Sequence, residues 1–320
     1  MNSPAVTVII PVRTDRRVFA AVDSIRAAAS EPESLEIIVV DNASTPEFSG
    51  ELRESIGSKA IIIHEAEAGV YRARNRGVDA AHGEFIFFTD ADCIIQRGWV
   101  EAGLESLKDA DIVQGYSGSV GDAPVQRLIQ RRYEAHLRRL PAGRPTECDT
   151  RNLAIRRSVF DAIRFEEQYR RVGDTEFGLR AEAAGFRVAY QPAMRVEHEH
   201  EPDLALFAAK QACHGWGAQR LMQQHPEVEW HGGHLKTVSR ISKRLEPRRG
   251  TGLIAKLCIR GSVVNARMLQ RVAPRLPAGV GFWWLTGIDK LAALGGHLSY
   301  RPDGPEPSPS EILGRALPRD

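Results

Sequence analysis

Cysteine is scarce in this chain, and its four residues, Cys93, Cys148, Cys213 and Cys258, form no CxxC pair and no Cys/His zinc spacing. A disulfide framework and a zinc ribbon are thereby excluded, and a reduced, cytoplasmic protein is the simplest account. Long apolar runs are missing as well. The nearest stretch, Val280 to Leu298, is broken by Asp289, Lys290 and glycines, so no transmembrane helix is expected. The N-terminus has no charged segment followed by an apolar core and cleavage site, and reads as a strand instead of a signal peptide. Charge of one sign is not in excess. A net charge of +2 on 320 residues gives no global attraction to nucleic acid or membrane, and none is expected as a partner for the chain as a whole. There is no G-x-x-x-x-G-K-[ST] loop and no G-x-G-x-x-G after the first strand, which removes the P-loop and dinucleotide fingerprints. Internal repeats are also lacking.

What is present is a run of apolar strands, each ending in polar residues. Val6 to Val12 leads to Arg13-Thr14-Asp15; Ile37 to Val40 leads to Asp41-Asn42; Ala60 to His64 leads through Gly69 into Tyr71-Arg72-Ala73-Arg74. Phe85 to Phe88 is an unbroken apolar run, suited to a strand buried on both faces, and Asp90-Ala91-Asp92 follows at once. Helical periodicity fills the intervals. Strands alternating with helices predict an α/β fold with a mostly parallel sheet, whose polar strand ends converge where such folds bind ligands. Two carboxylates as close as Asp90 and Asp92 repel unless a proton or a cation intervenes, and hard oxygen donors favour Mg²⁺ or Mn²⁺. Guanidinium groups at Arg72 and Arg74 suit phosphate.

The ordered set V-T-V-I-I-P-V, V-V-D-N-A-S, G-V-Y-R-A-R-N-R-G and G-E-F-I-F-F-T-D-A-D resembles the nucleotide-sugar-binding half of the family 2 glycosyltransferases, which have the GT-A fold. The resemblance implies that Asp41 contacts the nucleobase and that Pro11, Val12 and Arg13 line the same pocket. It also implies that Asp90 lies near the ribose, with Ala91 between the two acids, and that Asp92 binds a divalent cation, Mn²⁺ or Mg²⁺, bridging the diphosphate. For Arg74 two roles stand open, contact with the donor or a salt bridge that orders the Asp loop.

Further along, Val172-Gly173-Asp174-Thr175-Glu176 is similar to the family's segment that ends in an acidic pair and carries the catalytic base. Gly173 replaces the first acid, so Asp174 is the expected base, although an N-cap role would also account for it. His198, in V-E-H, matches the family histidine that completes the metal shell; His200 is the alternative ligand. Arg151 and Asn152 open the acceptor half. No Q-x-x-R-W motif of the processive membrane synthases is present, which implies single transfers.

The expected product is a GT-A domain over residues 1–230, with a nucleotide-sugar half at 1–118 and an acceptor half at 119–230. A helical appendage at 231–300 and a Pro-rich tail at 301–320, unable to bury much, follow. The donor is expected to be a UDP-sugar, with GDP- or dTDP-sugars as alternatives. The acceptor is a hydroxyl compound: lipid-linked, a saccharide or a small natural product. A catalytically silent nucleotide-binding or scaffold protein is the competing reading; a sugar-phosphate nucleotidylyltransferase lacks its glycine-rich loop here.

Two segments read ambiguously. Arginines 127, 131, 132, 138 and 139 lie on a helix from Ala123 to Leu140, either as a solvated face or against an anionic acceptor. In Thr251 to Val272, Ile254, Leu257, Val264, Met268 and Val272 form an apolar face edged by Lys256, Arg260, Arg267 and Arg271. That helix could lie on an anionic membrane surface or pack on the catalytic domain or a second subunit, as in a homodimer, and packing is the preferred reading.

Overall fold

The computed structural model describes residues 5–138, 148–226, 228, 251–302 and 304–316. The chain divides into two compact units that are discontinuous in sequence: Met1–Val120 with Pro141–Glu199, and Gly121–Leu140 with His200–Asp320.

The first unit contains β1 (Val6–Val12), α1 (Arg17–Ala28), β2 (Leu35–Asn42), α2 (Pro46–Ile56), β3 (Ile61–Glu65), α3 (Val70–Ala80), β4 (Phe85–Thr89), β5 (Cys93–Ile95), α4 (Trp99–Ser106) and β6 (Ile112–Ser119). After α5 (Pro124–Leu137), which belongs to the second unit, it resumes with β7 (Asn152–Arg156), α6 (Val159–Ala162), α7 (Gly173–Ala183) and β8 (Val188–His198). The sheet order is β3-β2-β1-β4-β7-β6-β8-β5. Strands β3, β2, β1 and β4 run parallel; β7 is reversed against β4 and β6, and β5 is reversed against β8.

The apolar runs of β1 and β4 are central because they are covered on both faces. Phe87 meets Trp99 on one face with ring centroids 4.9 Å apart, and Phe88 meets Phe165 on the other at 5.5 Å. The parallel order of β2, β1 and β4 brings the ends of these strands, with Asp41, Arg13 and Asp90, to one edge.

Pro192 lies in a bulge inside one long strand. Gly115 of β6 pairs with Gln191, but the next residue, Tyr116, pairs with Arg195, so Pro192, Ala193 and Met194 are extra on β8. Beyond the bulge, β8 runs on to His198, which lies opposite Cys93 of β5.

The second unit gathers α5, α8 (Leu204–Gln224), α9 (Thr251–Val272), α10 (Ala278–Ser299) and α11 (Pro309–Ala316) around buried Ile129, Phe207, Leu269, Leu285 and Ile288. Asp203 caps α8 by accepting from the amides of Ala205 at 2.7 Å and Leu206 at 3.2 Å. Helices α9 and α10 form an antiparallel hairpin in which Gly295 faces Ile259 and Gly261 faces Leu291.

Two expectations are corrected here. The arginine helix α5 is not a solvated face throughout: Arg127, Arg131 and Arg138 are exposed, with Arg131 over the Phe282 ring at 4.9 Å, but Arg132 donates to the buried Asp289 at 2.8 Å. Arg139 lies outside the described residues. The tail also buries more than its proline content suggests: Ile312 and Ala316 of α11 enter the apolar core beside α8, and the Cys213 thiol donates to the Pro307 carbonyl at 3.1 Å. Among the described residues no helix is long and apolar enough to cross a membrane.

Candidate active site

The acidic turn after β4 is built on a buried cation. Arg74, itself 3% exposed, donates from its terminal nitrogen to Asp90 Oδ1 at 2.7 Å. Of the two roles open for Arg74, the salt bridge that orders the Asp loop is thus present. Ala91 is buried between the acids, turning Asp92 toward the end of β8. There, Asp92 Oδ2 lies 3.4 Å from His198 Nε2 and 3.7 Å from the Arg17 guanidinium. Arg17 is also held by Asp15 at 2.7 Å and lies 3.6 Å from Glu199.

The two acids differ in electrostatics. Burial pushes the Asp90 carboxyl up, with Arg74 pulling against it and the charge of Asp92 adding to the rise. Burial acts on Asp92 too, but the hydrogen bond and charge of His198, with Arg17 and Arg151 near, outweigh it and hold Asp92 well below the usual carboxylate range. One acid of the pair is thus poised to be anionic beside a cluster of cationic groups.

His198 and His200 part company after β8. His200 is buried in the second unit, where its Nε2 lies 2.8 Å from Gln130 Oε1, whereas His198 lies beside Asp92 in the first. Among the described residues no three His, Cys, Asp or Glu side chains form a ready-made metal cage. The donor set at Asp92 and His198 is one carboxylate and one imidazole, which fits a divalent cation that draws the rest of its shell from phosphate oxygens and water.

On the neighbouring strand end, Asp41 is 1% exposed. Its Oδ2 accepts from Ser49 Oγ at 2.5 Å and lies 3.4 Å from His64 Nδ1, while Oδ1 is buried with no hydrogen bond among the described residues. Burial disfavours its charge, yet Ser44, Ser49 and His64 together bring the carboxyl below its ordinary value. Pro11 and Val12 pair in register with Val40 and Asp41, and Arg13 is exposed at the tip. The two loops are laced together: the Thr14 amide donates to Ser44 Oγ at 2.9 Å, and the Thr45 amide to Thr14 Oγ1 at 3.2 Å.

Asp174 stands two residues past the N-cap, as the second residue of α7. Val172 holds the N-cap position of α7 with a left-handed φ of 58°, and Asp174 lies in the first turn, accepting from the Thr175 amide at 2.9 Å. Tyr71 donates its hydroxyl to Asp174 Oδ1 at 3.3 Å, and the Arg74 guanidinium lies 5.3 Å from the Tyr71 ring. A continuous chain of contacts therefore runs from Asp174 through Tyr71 and Arg74 to Asp90.

Arg151 lies over this region in a bidentate pair with Asp149, with Nε 3.0 Å from both carboxylate oxygens. Asn152, expected on the acceptor side, is corrected to an internal role. It is fully buried, its Oδ1 accepts from the Trp99 indole at 2.7 Å, and its Nδ2 donates to the carbonyls of Tyr116 at 2.8 Å and Met194 at 2.9 Å. Those carbonyls flank the register break of β8, so Asn152 staples the bulge. Reading the sequence missed Arg17 and Tyr71. Tyr71 was detectable in part, since it precedes Arg74 by three residues and shares its helix face.

The family model for glycosyl transferase family 2 matches residues 7–166. The pre-mycofactocin glycosyltransferase of Mycobacterium tuberculosis is 28% identical over 233 residues, 69% of this chain and 48% of that protein. Glycosyltransferase AglE of Haloferax volcanii is 24% identical over 195 residues, 58% of this chain and 64% of that protein. The chain thus spans about half to two thirds of the length of these relatives. Among solved structures, mannosyltransferase PcManGT from Pyrobaculum calidifontis, in complex with GDP-Man and Mn²⁺, superposes with a TM-score of 0.61 at 19% identity, over 93% of this chain and 88% of that one. That likeness shows the fold, with its mostly parallel sheet flanked by helices. With the motif order, the sheet and the matched half of its length in agreement, the chain belongs to the family 2 glycosyltransferases.

Proposed function

We propose that this glycosyltransferase moves a sugar from a nucleoside diphosphate to a hydroxyl acceptor, with inversion at the anomeric carbon and one sugar per encounter. The observation that carries the reading is the chain Asp174–Tyr71–Arg74–Asp90, which ties a candidate base to the acidic turn that Asp92 shares with His198. Residues 1–118 form the donor half in this reading. Asp41 is the acceptor for a nucleobase N–H beside Pro11, Val12 and Arg13. Asp90 receives the ribose, and Arg74 keeps Asp90 oriented. Asp92 and His198 would hold Mn²⁺ or Mg²⁺, whose charge offsets that developing on the departing diphosphate.

Asp174 takes the acceptor proton. Displacement from the face opposite the leaving group needs one such base, and no second acid precedes it at Gly173. Tyr71 orients the Asp174 carboxylate through its hydroxyl. Arg151, close to both acids of the turn, is placed to meet the acceptor or the donor phosphates. UDP is the favoured nucleotide, and the GDP-Man of the mannosyltransferase keeps GDP beside it. The four free cysteines suit a cytoplasmic setting.

Thermal unfolding in the presence of UDP, GDP, dTDP and CDP, each with Mn²⁺, Mg²⁺ or chelator, tests the donor site. A ligand of the native state raises stability by about 2.7 kcal/mol at a hundredfold excess over its dissociation constant. A shift with one nucleotide that vanishes in chelator is expected; no shift with any nucleotide favours the scaffold reading. For the base, Asp174→Asn should retain that nucleotide shift while losing about 10²- to 10⁴-fold in transfer. Undiminished transfer would reassign the base.

A further inference from the structure

The second unit carries an unusual surface. Eight large apolar side chains are exposed among the described residues, and seven of them, Leu253, Ile254, Leu257, Val264, Met268, Val280 and Trp283, belong to the α9–α10 hairpin. Exposures reach 68% for Leu253, 61% for Leu257 and 69% for Trp283. Within the unit the residues of α9 that pack are Ala255, Ile259, Val263, Ala266 and Leu269, a different face from the apolar stripe.

At 3.6 residues per turn, α9 divides into three adjacent sectors. One holds the buried residues. The next holds Lys256, Arg260, Arg267 and Arg271, all exposed, and the third holds the exposed apolar stripe. No acidic residue occurs anywhere in the sequence of α9, and the single acid of α10, Asp289, is buried against Arg132. The exposed face of this hairpin therefore carries cations and no acid beside its apolar stripe.

An ordinary solvated helix does not leave such a stripe bare, and contiguous exposed apolar surface marks an interaction site. Apposing two copies of this face would set cation against cation. A bilayer surface with anionic headgroups matches both sectors at once: the apolar side chains enter the boundary of the acyl region, and the long basic side chains reach up to phosphate. Trp283 belongs to the residue type that settles at that boundary. We propose that α9 and the first turns of α10 form an in-plane docking surface for an anionic membrane. The length and composition of the helices agree, since none among the described residues can cross a bilayer.

Flotation of the full chain with vesicles tests this. Vesicles of phosphatidylcholine and phosphatidylglycerol, mixed three to one, should carry the protein upward, and pure phosphatidylcholine vesicles should carry much less. Arg260→Glu with Arg267→Glu should weaken binding by about fivefold or more per residue. Leu257→Ser, Met268→Ser and Trp283→Ser combined should abolish flotation without lowering the thermal transition, because all three side chains are exposed. Failure of the parent chain to float with anionic vesicles, or unchanged flotation of the triple variant, overturns the proposal. Sedimentation showing a dimer that the triple variant dissociates, with no vesicle binding, would overturn it in favour of a second copy covering this face.

Discussion

Tyr71 occupies the space that a side chain at position 173 would need. A Cβ on Gly173 would fall 2.6 Å from Tyr71 Cε2, and the ring cannot swing aside freely, because Phe165 lies 5.8 Å from it and Asp174 accepts a hydrogen bond from its hydroxyl. The glycine that departs from the family's acidic pair therefore has a partner on another helix. Gly173→Asp is expected to cost about 1–3 kcal/mol through overpacking. Urea unfolding measures it, and in a Tyr71→Ala background the same change should cost clearly less. An unaltered midpoint for the single variant would show that the ring yields.

Asn152 satisfies three internal groups at once, two carbonyls and the Trp99 indole. Asn152→Leu keeps the volume and strands all three, so a loss of about 3 kcal/mol or more follows from the cost of buried unpaired groups. Denaturant titration followed by tryptophan fluorescence reports it. A loss under about 1 kcal/mol would mean that the β8 bulge holds without its staple.

Glu36 predicts an acid-side dependence. Burial raises its carboxyl, but the Thr7 hydroxyl, the His82 amide and the His82 ring outweigh that and leave it below its ordinary value. A carboxyl lowered on folding stabilises fully above its unfolded pKa of about 4.3, and the gain disappears as pH falls through the lower folded value. Glu36→Gln should therefore cost about 1–2 kcal/mol at neutral pH and nothing once both carboxyl forms are protonated. Melting curves of parent and variant between neutrality and pH 3 should converge; parallel curves would refute the linkage.

In the helical unit, Arg132→Met leaves Asp289 as a buried charge without its main partner. A loss of about 3–5 kcal/mol is expected, and adding Asp289→Leu should recover most of it, since an apolar pair replaces an ion pair at little cost. Calorimetry of the two variants decides the matter, and equal stability of both would show that the unpaired Asp289 carries no buried-charge penalty.

Much of the first unit was legible because its strands are apolar runs closed by acids, a pattern that survives without knowledge of contacts. Asp90, Asp92 and Asp41 were found for that reason. Strand β5 was not, since three residues carry no periodicity, and yet it is β5 that sets His198 opposite Cys93, next to Asp92. Asn152 was misread because a polar residue at a strand start looks the same whether it faces a substrate or an internal carbonyl. The apolar stripe of α9 was visible in the sequence, but its exposure was not: a helix with two apolar sectors shows one blurred pattern, and only packing decides which sector is covered.

The three extra residues of β8 have a further effect. The stretch before them is aligned by the first half of β6, and the stretch after them by Tyr116–Ser119 and by β5. The strand is thus two rulers joined by a short expansion joint. Residues added or removed at exposed Pro192 and Ala193 would be taken up in that joint, leaving His198 where it is. Tilt at this edge of the sheet can then be altered by chain length alone, with every side chain around Asp92 unchanged.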